Sequence, residues 1–202
     1  MIKQNIIRPS SSPYSIPINI VNKKNNEIRL CIDFRKLNSI TAFDCQSIPT
    51  LDELLNKLNS ATYFAKLDLT KRYWQIQIKE DHKKYTAFRS HKGLMELNFM
   101  PFGLSTASST FQLAMSHALR DRSFVVLYFD DVLIFSEIWS SHMKNTRAIL
   151  TALKNANLTV RPSKTHIGFD SIDFLGHIIS QGKVLPDKDK TNKYANCRLF
   201  DI

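Results

Sequence analysis

The stretch FVVLYFDDVLIFS, residues 124–136, decides how the chain is read: ten of its thirteen residues are apolar, yet Asp130 and Asp131 stand side by side in its middle. A charge is costly to bury unless something pairs with it. FVVLYF and VLIFS each have the β-branched and aromatic content of a strand, so the pattern predicts an antiparallel hairpin with the aspartates at its turn. Within a strand, neighbouring side chains point to opposite faces, whereas at a turn two neighbours can project from the same end. Asp-Asp is a poorer turn dipeptide than Asn-Gly or Asp-Gly. The pair therefore reads either as a solvated turn or as a cation site.

A third carboxylate lies upstream. TYFAKLDL, residues 62–69, reads as a strand that ends at Asp68. Asp68 reads either as a helix cap before TKRYW or as a partner for the Asp pair. Hard oxygen donors of this kind suit Mg²⁺, and three converging carboxylates can hold two ions around a phosphoryl transfer. Elsewhere, EIRLCIDFRKL predicts a strand. Thr50 and Glu53 form a T-x-x-E capping box for a helix that carries Leu51, Leu54, Leu55 and Leu58 on one face. WQIQIK alternates Trp74, Ile76 and Ile78 with polar residues and predicts another strand. Ser105 or Thr106 can cap a helix through Ala107, Phe111, Met115 and Ala118, and Trp139, Met143, Leu150 and Leu153 mark a further helix. RPSSSPYSIP, residues 8–17, holds three prolines and four serines and favours extended or turn backbone. This irregular alternation predicts an α+β fold rather than regular βαβ units.

The chain has 202 residues, 43% of them apolar, enough for one domain or two joined subdomains. Lysine and arginine number 28 against 18 aspartates and glutamates, a net charge of +10 that suits a polyanionic partner or simply a basic soluble surface. Cys31, Cys45 and Cys197 form no CxxC pair, and the six histidines lack zinc-ligand spacing, so neither a zinc ribbon nor a disulfide framework is expected. The opening MIKQNIIRPS lacks the apolar core of a signal peptide, and no run is long enough to span a bilayer. An intracellular location without membrane contact is expected.

Taken in order, IRPSSSPYSIPI, EIRLCIDFRKLN, FAKLDL, YWQI, TAFR, MPFGL, TFQ, YFDDVLIFS and FLGHIIS resemble the reverse transcriptase of gypsy-type LTR retrotransposons. The resemblance implies an α+β right-hand polymerase core. Fingers are expected at about residues 1–43 and 76–106, palm at about 44–75 and 107–179, and a divergent tail or the start of a thumb at 180–202. It implies that Asp68, Asp130 and Asp131 are catalytic and hold two Mg²⁺ ions, with Mn²⁺ as an alternative, Asp131 being the more auxiliary ligand. Lys23, Arg29, Tyr73 and Phe102 are then expected at the deoxynucleoside triphosphate, with Tyr73 as the steric gate against ribonucleotides. Leu175, Gly176 and His177 resemble a primer grip, and Lys164 lies near a lysine considered as general acid for pyrophosphate. The implied partners are a primed RNA or DNA template, deoxynucleoside triphosphates and other parts of a pol polyprotein, in the cytoplasm or a virus-like particle. Taken singly, each of these side chains also has an ordinary reading as a surface charge or a packing residue.

The chain departs from the family at two places. LDLTKRYWQI carries Arg72 where the pattern LDLRSGYHQI has glycine, the residue that lets backbone approach a ligand closely. PFGLSTASSTFQ lacks the proline of PFGLTNAPATFQ. Arg72, together with the expectation that the thumb is largely missing, supports an alternative reading: a catalytically impaired, nucleic-acid-binding remnant of such an element.

Overall fold

The structure, a computed structural model, describes residues 1–22, 28–42, 51–58, 60–120, 122–128, 131–180 and 183–186. In chain order the elements are β1 (Ile7–Pro9), β2 (Ile18–Asn22), β3 (Ile28–Ile32), α1 (Arg35–Asn38), α2 (Leu51–Lys57), β4 (Tyr63–Asp68), α3 (Glu80–Lys83), β5 (Phe88–Ser90), β6 (Gly93–Leu97), α4 (Ala107–Ala118), β7 (Val125–Tyr128), β8 (Asp131–Ser136), α5 (Trp139–Asn155), β9 (His166–Phe169), β10 (Ser171–Phe174), β11 (His177–Ser180) and β12 (Lys183–Pro186). Strand pairing among them is antiparallel throughout, so the fold is α+β as expected. The chain divides into two compact units, one of residues 1–46 and 70–114, the other of 47–69 and 115–202.

The first unit contains a sheet in the order β1-β6-β5 and the hairpin β2-β3. Phe34, Phe88, Met95 and Leu97 are its buried centre, with Ile7, Ile16, Ile32, Leu37, Trp74 and Ile78 packed around them. Glu96 is buried on β6 directly opposite Arg8 on β1, and it accepts from Arg8 Nε at 2.7 Å and from Ser10 Oγ at 2.5 Å. The pairing satisfies a charge that would otherwise be costly to bury. Asn38, at the end of α1, ties two separate stretches of chain together: its Nδ2 donates to the carbonyl of Gly103 at 2.8 Å and its Oδ1 accepts from the Ser105 amide at 2.9 Å. Gly103 has φ +98°, and a Cβ there would meet the Phe34 ring at 3.5 Å.

The expectation of a strand through WQIQIK is corrected. Residues 72–75 form a 3-10 turn, and of the stretch only Gln77 pairs, as an isolated antiparallel bridge to Phe99. The cause is local: Lys71 and Arg72 adopt φ +54° and +38°, which breaks an extended course, and Gln75 Nε2 closes the turn onto the Thr70 carbonyl at 2.6 Å. Ile76 and Ile78 still run extended alongside residues 98–100, with the Ile78 amide bonded to the Asn98 carbonyl and the Met100 amide to that of Ile76.

The second unit is built on a sheet in the order β7-β8-β4-β9. Alternation along β4 sends Tyr63, Ala65 and Leu67 to one face and Phe64, Lys66 and Asp68 to the other. α5 covers the first face: Trp139 and His142 stack on Tyr63, with ring centroids 5.4 and 6.3 Å away, and Asn145 Nδ2 donates to Ser136 Oγ at 3.0 Å. On the second face Phe64, Val126 and Leu133 join Leu54 and Leu58 of the helix read from sequence and Ile172, Phe174 and Ile179 of the small sheet β10-β11-β12 in one buried cluster. Thr50, the expected cap of that helix, lies outside the described residues. No helix among the described residues is long and apolar enough to cross a membrane.

Candidate active site

The hairpin expected from FVVLYFDDVLIFS is present as β7 and β8, but its turn falls one residue earlier than the sequence suggested. Asp131 is the first residue of β8 and pairs with Tyr128, leaving Phe129 and Asp130 as the connection. Both connecting residues lie outside the described residues.

The register then fixes the second carboxylate. Asp68, the last residue of β4, is the Cα partner of Asp131, so both side chains leave the same face at the same end of the central strand pair. Apolar packing on that face stops at Leu133, one same-face step short of this end, and at Phe64, two such steps short, with Tyr128 at its margin. The backbone of Asp68 is held from the other side, where its carbonyl accepts from the Arg161 amide at 2.7 Å. Like charges directly opposite each other destabilise a sheet unless cations intervene. Two do: Lys66 Nζ stands 3.0 Å from Asp131 Oδ2, and Lys164 Nζ stands 3.5 Å from Asp68 Oδ2. Both carboxylates thus already sit against positive charge, and their oxygens are the hard donors that Mg²⁺ takes, so they fit a divalent ion. Among the described residues no group of three or more His, Cys, Asp or Glu side chains is assembled for a metal, and Asp130, the third expected donor, is not among them.

In the first unit Tyr73 and Phe102 are brought together. Their rings meet edge-on with centroids 5.1 Å apart, Phe111 packs on Tyr73 from 5.7 Å, and the Tyr73 hydroxyl lies 2.9 Å from Ser108 Oγ. Phe102 keeps 41% of its surface exposed, so the pair offers a part-open aromatic surface rather than a closed core. Arg72, immediately before Tyr73, has a left-handed backbone that glycine adopts without cost and a long side chain does not. The expected triphosphate contacts cannot be placed beside them: Lys23 and the side chain of Arg29 lie outside the described residues, although Arg29 belongs to β3.

Leu175 and Gly176 form the two-residue link between β10 and β11, with φ +52° and +81°, and Phe174 pairs with His177 across it. Leu175 packs on the buried cluster, and His177 Nδ1 is buried with no hydrogen-bond partner among the described residues. Sequence reasoning missed Lys66 and Ser108. Lys66 was legible, since two residues before Asp68 on a strand means the same face; Ser108 depends on a helix packing that no local pattern encodes.

The sequence profile of a family described as "Reverse transcriptase (RNA-dependent DNA polymerase)" matches residues 21–179. Among curated proteins, the chain is 38% identical over 197 residues to the retrovirus-related Pol polyprotein from transposon opus of Drosophila melanogaster, covering 94% of this chain and 20% of that protein. It is 38% identical over 198 residues to the corresponding polyprotein from transposon gypsy of the same fly, covering 94% and 19%. It is 34% identical over 194 residues to the transposon Tf2-3 polyprotein of Schizosaccharomyces pombe, covering 95% and 15%. The chain thus spans about a fifth of the length of the first two. Among solved structures, a foamy viral protease-reverse transcriptase in complex with double-stranded DNA superposes with a TM-score of 0.86 at 22% identity, covering 98% of this chain and 35% of that one. A foamy viral protease-reverse transcriptase in complex with an RNA/DNA hybrid gives 0.81 at 22% identity, covering 98% and 27%.

Proposed function

Because the chain belongs to the reverse transcriptase (RNA-dependent DNA polymerase) family, we propose that Asp68, Asp130 and Asp131 form the centre at which a primer 3′-hydroxyl is joined to the α-phosphate of a deoxynucleoside triphosphate. The observation that carries this reading is the register of β4 and β8, with Asp68 and Asp131 opposite each other where apolar packing ends. Asp68 and Asp130 are the main holders of divalent metal and Asp131 the auxiliary one. Bound there, such ions supply charge that makes the 3′-hydroxyl more acidic and neutralises the triphosphate and the departing pyrophosphate.

The remaining work falls to the chain itself. Tyr73, held by Ser108 and Phe111, presents its ring where a ribose 2′-hydroxyl would collide, and Phe102 borders the same surface. Lys23 and Arg29 meet the triphosphate as cations. The turn Leu175-Gly176 with His177 holds the primer end, and Lys164, which stands 3.5 Å from Asp68 Oδ2, gives a proton to pyrophosphate. Residues about 1–43 and 76–106 act as fingers, and residues about 44–75 and 107–179, which hold the four-stranded sheet, act as palm. Primed RNA or DNA is the partner, and the chain works inside the cell as part of a larger Pol product.

Primer extension on an RNA template with deoxynucleotides and Mg²⁺ tests the reading. Wild-type extension is expected, with a loss of about a hundredfold or more in Asp68→Asn and Asp130→Asn. A folded wild-type chain that extends nothing, or aspartate variants that extend normally, would overturn it.

A further inference from the structure

We infer that Lys66 is a positioning residue for Asp131, a resident positive charge that keeps this carboxylate turned along the strand and weakens the grip of the aspartate cluster on divalent metal. The inference rests on the polymerase reading of the site. Lys66 and Asp68 share a face of β4, the Cα partner of Lys66 on β8 is Leu133, and Asp131 lies one step further along that face. The ammonium therefore reaches diagonally across the sheet to Asp131 Oδ2 at 3.0 Å, with the two side chains only 26% and 32% exposed. On its other side Lys66 is paired in register with His166 of β9, which offers no carboxylate to compete for it.

The two lysines of the site are not equivalent. Lys164 stands 3.5 Å from Asp68 and its side chain is 59% exposed. Such a contact is weak and yields readily to a stronger cation. Lys66 is anchored in the strand next to the carboxylate it serves, is more sheltered, and stays when metal arrives. It offsets the repulsion between two carboxylates set opposite each other, and it commits one oxygen of Asp131 to an ammonium. Asp131 is thereby the lesser ligand because of a neighbour in the sheet, while Asp68 keeps a displaceable counter-charge.

The test measures Mn²⁺ binding to the 202-residue chain by the loss of the free-ion paramagnetic resonance signal, without nucleotide or nucleic acid, alongside Mg²⁺ titrations of primer extension. In Lys66→Met, Mn²⁺ is expected to bind about five- to tenfold more tightly, because one positive charge leaves the vicinity of a divalent ion. Extension at saturating metal is expected to fall about tenfold as Asp131 loses its orientation. Lys66→Arg, which keeps the charge, is expected to follow the wild type in both measurements. Mn²⁺ affinity that is unchanged or weaker in a Lys66→Met chain that still melts cooperatively overturns the proposal, as does a Lys66→Arg chain that behaves like Lys66→Met. Should Lys66→Met fail to fold, Lys66→Gln is judged by the same criteria. The expected Mn²⁺ shift in Lys66→Met, together with a wild-type chain that extends no primer, sinks the polymerase reading and leaves the charge role of Lys66 supported. Extension without the Mn²⁺ shift does the reverse.

Discussion

Arg72 shows how much a single backbone angle can carry. With Lys71 it makes two consecutive left-handed residues, at φ +54° and +38°, neither of them glycine. Placing a residue with a Cβ there costs about 1–2 kcal/mol, part of which glycine gives back through its freer unfolded chain. Arg72→Gly is expected to raise stability by about 0.5–1 kcal/mol in urea unfolding and to tighten deoxynucleotide binding in a fluorescence titration. Unchanged affinity would mean that the residue at position 72 does not limit how closely the backbone approaches the nucleotide. Tyr73 next to it separates shape from hydrogen bonding. Tyr73→Phe loses the contact with Ser108, at about 1 kcal/mol of stability, and should still reject ribonucleotides. Tyr73→Ala should admit them in competitive extension assays, and equal discrimination in both variants would remove the gate. The departure from the glycine pattern at Arg72 was visible in the sequence; the strained backbone beneath it was not, because φ depends on how residues 70–75 close on themselves.

At the scale of elements, helix α5 lays His142 in the core against Tyr63 and Trp139. Burial pushes this imidazole below its ordinary pKa of 6.5, with a smaller opposing effect from the backbone of Phe64. The neutral ring is therefore favoured in the fold: its contribution is fully present above the unfolded pKa and is lost as pH falls through the lowered one. Melting temperatures should drop more steeply between about pH 7 and about pH 5 in the wild type than in His142→Gln, and parallel curves would assign the acid sensitivity elsewhere. β4, the β7-β8 hairpin, α4 and α5 were all legible, because each carries its own period of apolar residues. WQIQIK was misread, because its alternation is real but the left-handed pair before it draws its first two residues, Trp74 and Gln75, into a 3-10 turn. The position of Asp131 was misjudged by one residue for a related reason: the turn is set by which residues of β7 and β8 pair, and the pattern FDDV fits either register.

On the scale of the whole molecule, the excess of positive charge is spread along the sequence rather than gathered in one run. Each phosphate neutralised by lysine or arginine releases counterions, so affinity for a primed template should fall at least about tenfold between 50 and 200 mM salt. Fluorescence anisotropy with a labelled RNA/DNA duplex measures this, and a flat salt response would argue against phosphate contacts as the source of binding. The meeting of Asp68 with Asp131 belongs to this scale as well. Their pairing spans more than sixty residues of chain and no local window contains it, which is why the sequence could nominate the three aspartates but not align them. Both units are assembled from chain segments that alternate, and this sets a timetable for synthesis. β7 and β8 can close as soon as both have been made, but β1 must wait for β6, and β4 must wait for β8. A nascent chain halted just after Leu69 would therefore hold Asp68 on an unpaired strand, open to chaperones and to other chains until the stretch containing Asp131 is made.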